Sequence, residues 1–181
     1  MPDFPVLRMP APPIITPWSL ESVSGVDSPI FEITARPASA TWPTANLAIF
    51  VPFMLYEQFI AVKMAIYNGA AVATDNADAG IYLPNGTKVV SSGSLATAGA
   101  NAIQELDITD TTLAPGLYYM ALALAGITGA IFATAPSFEH CRSSGIFTMA
   151  AAFPLPATAT FAGMTVSYLP LFGVSQRSLI T

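Results

Sequence analysis

The only histidine and the only cysteine of this chain are neighbours, His140 and Cys141, in the run SFEHCRSSG. A thiol beside an imidazole is the raw material of a cysteine nucleophile, which needs its base within hydrogen-bonding reach. Adjacency works against that contact, because successive side chains on a strand point to opposite faces. The plainer reading is a loop holding an ordinary histidine and a buried cysteine. One Cys and one His also leave no zinc-ligand spacing and no intrachain disulfide.

The acids offer two further arrangements. Asp75, Asn76 and Asp78 in TDNADAG present oxygens at intervals that suit Ca²⁺. The glutamate that closes a calcium loop is missing, so an Asx-type turn is expected there. Glu105, Asp107 and Asp110 form the second group. On a strand Glu105 and Asp107 share a face, as the paired carboxylates of a glycosidase must. They stand opposite an apolar face, which is the pattern of a solvated strand surface. Gly80–Tyr82 reads GIY, half of a nuclease signature whose partner YIG is absent. No phosphate-binding glycine loop occurs. The residues therefore point to no catalysis, no cofactor and no metal. Trp18, Trp42, Tyr56, Tyr67 and Tyr82 would stack on sugars if they shared an exposed face; core packing or interface anchoring is the expected use.

Composition says more than any motif. Only 9% of the 181 residues are charged and 53% are hydrophobic, against roughly 25% charged in an ordinary soluble domain. Such a chain hides surface, in lipid or against other protein. The six basic residues are scattered and the net charge is −5, so no electrostatic footprint for nucleic acid exists. Thr111–Phe138 and Ser143–Gln176 are long uncharged stretches, and Leu117–Ala135 is the better candidate for a span. Its acidic flanks (Asp107, Asp110, Glu139) and the Pro115-Gly116 turn that opens it favour burial in protein over a membrane.

The elements that would carry these residues are short strands. QFIAVKMAIYNG puts Ile60, Val62, Met64 and Ile66 on one face and Phe59, Ala61, Lys63, Ala65 and Tyr67 on the other. Phe31–Pro37 and Asn46–Phe53 alternate too, although Pro52 suits only a strand end or edge. Gly80–Leu83 and Thr87–Ser91 flank Pro84-Asn85-Gly86, a strong hairpin turn. NAIQELDI sets Ala102, Gln104, Leu106 and Ile108 against Ile103, Glu105 and Asp107, and TDTTLAPG follows as a connecting loop. LYYMALALA places Tyr118, Met120, Leu122 and Leu124 on one face. Leu117, Tyr119, Ala121 and Ala123 make the other, which is rich in small residues. Gly145–Met149 and Ala162–Leu171 are also strand-like, and no helix is convincing. The spacing predicts an all-β sandwich or barrel over residues 29–181, and an antiparallel sandwich is the expectation taken forward. Residues 1–28 form a separate arm. Prolines at 2, 5, 10, 12, 13 and 17 favour extended backbone, while Phe4, Val6, Leu7, Met9, Ile14, Ile15 and Trp18 supply apolar anchors. Such an arm either docks along a neighbouring subunit or folds back on its own domain.

Across residues 58–125 the order of features resembles a β-sandwich domain of structural proteins in tailed-bacteriophage particles: head-decoration, fibre and tail-associated proteins. There a GIYD-x-x-GT-x-L-x-x-SGS hairpin precedes Q-x-x-D-x-T-x-L-x-PG-x-YYLA. Gly80, Ile81, Tyr82, Gly86, Thr87, Ser92, Gly93, Ser94, Gln104, Asp107, Leu113, Pro115, Gly116, Tyr118 and Tyr119 match that order, and Leu83 stands where an acid is usual. Carbohydrate-binding sandwiches carry a similar PG-x-YY opening. The resemblance implies a jelly-roll-like sandwich and a non-enzymatic virion subunit, of capsid-decoration (cement) or fibre type. It implies assembly with itself, as a trimer, and with other virion proteins such as major capsid or tail proteins. The alternatives are an adhesin-like module that binds host-surface glycan at a fibre tip and a small membrane protein around Leu117–Ala135.

Overall fold

The computed structural model describes residues 37–72 and 75–177, together with the backbone of Ile14 and Ile15. Most of the arm expected over residues 1–28 lies outside the described residues, as do Phe4, Val6, Leu7, Met9 and Trp18 and all but Pro37 of the strand expected at Phe31–Pro37.

The described chain is an all-β sandwich of antiparallel sheets. The larger sheet has seven strands. Its main path runs β12 (Ala162–Gly163), β11 (Phe147–Met149), β3 (Ala48–Leu55), β9 (Gly116–Leu124), β5 (Asn76–Tyr82), β6 (Lys88–Ser91). A short β7 (Leu95–Ala96) also pairs with β5. The second layer holds a four-stranded sheet, β1 (Ile14–Ile15), β14 (Phe172–Ser175), β4 (Phe59–Tyr67), β8 (Ile103–Leu113). A three-stranded sheet lies beside it: β13 (Leu169–Pro170), β10 (Ala130–Thr134), β2 (Ala38–Thr41). A bridge between Asn68 and Ile131 joins these two laterally.

Period-two alternation builds the core between the layers. Ile49, Val51, Phe53 and Leu55 of β3 and Tyr118, Met120, Leu122 and Leu124 of β9 point inward, with Ala77, Ala79 and Ile81 of β5. They meet Met64, Ile66, Leu106, Ile108, Ile131, Phe172 and Val174 from the second layer. The two faces expected for LYYMALALA are therefore the observed ones. Pro52 sits inside β3 rather than at its end. It is tolerated because β11 pairs only with Ala48–Phe50, so no strand beyond that point requires an N–H from residue 52.

Three expectations fail for identifiable reasons. The single alternation of β4 breaks at a register shift between Ala61 and Lys63. Phe59 and Ala61 are buried before it and Met64 and Ile66 after it, leaving Ile60 exposed, because a bulge exchanges the faces of a strand. The TDTTL segment is not a loop: its β-branched threonines extend β8 to Leu113, paired with Phe59–Ala61. SFEHCRSSG carries a short helix, α1 (Phe138–Ser143), where a loop was expected. The Ser137 side chain caps it by accepting the His140 N–H at 3.2 Å. Gly145, at φ 69°, follows its end.

The stretch Leu117–Ala135 is not one helix but β9, a loop and β10. Among the described residues no helix is long and apolar enough to cross a membrane.

Candidate functional site

The residues that sequence grouped as candidates fall in three separate parts of the fold: α1, the start of β5 and the outward face of β8. Within α1 Cys141 is buried, and burial pushes its thiol up to about 11. That is the setting of an inert cysteine rather than a nucleophile.

Asp75 and Asp78 stand on opposite errands. The Asp75 carboxylate accepts hydrogen bonds from Thr128 N (2.8 Å), Thr128 Oγ1 (2.9 Å) and Gly129 N (2.5 Å). It thereby holds the loop between β9 and β10. It lies so close to Gly126 that a Cβ there would collide with it. Asp78 points to the outer face of the seven-stranded sheet and accepts from Leu155 N at 2.9 Å. The two oxygens sets therefore serve different loops, and the described residues contain no group of three His, Cys, Asp or Glu side chains placed to hold a metal.

Asp78 belongs to a buried polar latch. Residues 150–161 run as a strap across the outer face of the large sheet. Ala152, Leu155 and Ala159 pack on Ala48, Phe50, Tyr82, Tyr119, Ala121 and Ala123. Small side chains on β9 let the strap approach closely. Phe161 fills the rest, with ring centroids 5.0 Å from Phe50 and 4.8 Å from Tyr119. The backbone of the strap is then tied down: Tyr82 Oη donates to Pro156 O (2.6 Å) and Lys88 Nζ to Leu155 O (2.7 Å). Lys88 N donates to Ala157 O (2.9 Å) and Ala159 N to Gly86 O (2.8 Å). With the isolated Thr87–Thr158 bridge, these two bonds pair the strap with the backbone at the start of β6, at the sheet's edge. Gly86 is needed twice there. Its φ is 84° in the Pro84-Asn85-Gly86 turn, and a Cβ would run into the Ala159 carbonyl oxygen. Burial raises the Asp78 carboxyl above its usual range, against the opposing pull of the Leu155 N–H, Lys88, Ser91 and Ser92. Burial likewise raises the Tyr82 phenol.

Glu105 and Asp107 do share the outward face of β8. Asp107 is engaged by Lys63 of β4 at 2.7 Å, and this hydrogen bond raises the lysine ammonium. The pair is a cross-strand surface contact. Of the candidate sugar-stacking aromatics, Trp42 and Tyr82 are buried. Trp42 donates Nε1–H to Leu47 O (3.1 Å) and packs edge-on against Tyr168. Trp18 lies outside the described residues. Tyr56 is exposed in the turn between β3 and β4.

Tyr67 is part of a pattern that sequence did not suggest. Its ring lies flat on Phe132, centroids 4.4 Å apart, and Ile103 is its cross-strand partner on β8. These three form a half-exposed apolar row across the outer face of the second layer, next to Glu105, Lys63 and Asp107. Phe132 is 65 positions away from Tyr67; the Asn68–Ile131 bridge and the Leu171 backbone, which accepts from Tyr67 N and donates to Phe132 O, bring them together. Leu117, opposite Met54, adds exposed apolar surface at one end of the large sheet.

Ile14 and Ile15, the only arm anchors with a described backbone, pair with Ser175 and Val174 of β14 in the same chain. Comparisons with protein-family models, with curated proteins and with solved structures find no match to this chain.

Proposed function

We propose that this chain is a non-enzymatic structural subunit of a virion, of capsid-decoration or fibre type. It assembles with copies of itself, as a trimer, and with other particle proteins through apolar faces and its N-terminal arm. The jelly-roll-like form of the sandwich and the docking role of Phe4, Val6, Leu7, Met9, Ile14, Ile15 and Trp18 belong to this reading. The observation that carries it is a chain with only 9% charged residues and an apolar row, Ile103–Tyr67–Phe132, lying outside the core on a sheet face. Interfaces between permanent partners are more apolar than ordinary surface and enriched in aromatics. Asp75, Asp78, Tyr82 and Lys88 are spent on holding loops, for each bonds backbone.

Deletion of residues 1–26 tests the arm. The truncated chain is expected to keep its β-rich circular dichroism while its assembly weakens. Unchanged assembly would refute the docking role. Glycan binding on the same surface would require Tyr56 or Tyr67, and its detection on a glycan array, lost on replacement of either by Ala, would favour an adhesin over a cementing subunit.

A further inference from the structure

Ile14 and Ile15 add the outermost strand to the four-stranded sheet, on the edge of β14, and the ladder is two residues long. The sequence explains why it is so short. Ile14-Ile15-Thr16 is bracketed by Pro13 and Pro17, and proline has no N–H to give a ladder. Continuing the register would set Pro17 opposite Phe172. The edge strand is thus a two-residue island, Ile14–Ile15, in a proline-bracketed stretch of sequence, while its receiving residues, Val174 and Ser175, are buried. Residues 16–37 link it to β2. At about 3.3 Å per residue they reach up to roughly 70 Å, more than twice the ~30 Å width of a small domain. Nothing in the chain's length ties the island to its own sheet.

We propose that β14 is the seat of arm exchange: in the assembled protein its edge receives Ile14–Ile15 from a second copy of this chain. The proposal rests on the assembly reading above and names the surface and the register that reading lacks. The ladder is the same within one chain or between two, so exchange sacrifices no hydrogen bond. Each copy donates one island and receives one, which links neighbours without a new interface.

The test places Ile14→Cys on one chain and Ser175→Cys on a second chain of distinguishable mass, both with Cys141→Ala. These positions are direct antiparallel partners and so share a face of the sheet. The two chains are refolded together and oxidised. In parallel, a chain carrying both cysteines is oxidised and its mass followed by light scattering. Exchange predicts a disulfide joining the two different chains, and linked chains in the double variant. An oligomer whose double variant closes only within each chain overturns exchange and leaves the assembly reading standing. A monomer closed within the chain overturns both. Absence of any disulfide refutes the Ile14–Ser175 seat itself.

Discussion

The two faces of the seven-stranded sheet are covered by different means. The inner face presents large aliphatic and aromatic side chains to the second layer, and complementary bulk holds it. The outer face presents Ala48, Ala121 and Ala123, ringed by Phe50, Tyr82, Tyr119 and Phe147, to a strap without regular structure that adds Phe161. Bulk alone would not fix such a strap in place. Its backbone carries polar groups that must be satisfied once water is excluded, and Asp78, Tyr82 and Lys88 satisfy them. The inner face is specified by volume and the outer one by hydrogen bonds.

Replacing Leu122, on the inner face, should have the largest effect. Leu122→Ala is expected to lower stability by about 2–5 kcal/mol in urea unfolding, since it opens a cavity in a closed core. On the outer face of the same strand Ala121→Leu is expected to cost about 1–3 kcal/mol by lifting the strap. A larger penalty at Ala121 than at Leu122 would reverse the contrast. Asp78→Ala should cost about 1–3 kcal/mol by leaving the buried Leu155 N–H unpaired, and protease cleavage within residues 150–161 should rise. Asp78→Asn keeps an acceptor and should cost less. Tyr82→Phe, which removes only the bond to Pro156, is expected at about 0.5–1.5 kcal/mol.

The pH response is the smallest effect and the most specific. Asp78's folded carboxyl holds its proton more tightly than the unfolded one, because burial raises it. Its contribution to stability is complete below the ordinary carboxylate range and falls as pH rises through its raised value. Comparing urea midpoints across that window should show this decline in the natural chain and its loss in Asp78→Asn. Equal slopes in the two proteins would mean that Asp78 is not the buried titrating group of the outer face.

Much of the strand layout was legible. The faces of β9, the Asn85-Gly86 turn and the Leu106/Ile108 face of β8 follow from alternation and turn chemistry alone. The β4 faces were not, because a register shift depends on how β4 and β8 pair and leaves no mark in either segment alone. Helix α1 had local signals in Ser137, Glu139 and Gly145, outweighed by its brevity. The latch could not be read. Asp78 and Leu155 are 77 positions apart, and an acid in an otherwise buried strand is the only hint. The same holds for the apolar row, where Tyr67 and Phe132 read as unrelated strand residues.

Coverage of this apolar surface by other copies, as proposed above, is open to direct test. The most direct measurement is the mass of the purified full chain by light scattering, with circular dichroism on the same sample. A β-rich species of three times 18.9 kDa, or a larger assembly, is the predicted result. A β-rich monomer that stays dispersed at high concentration would contradict it.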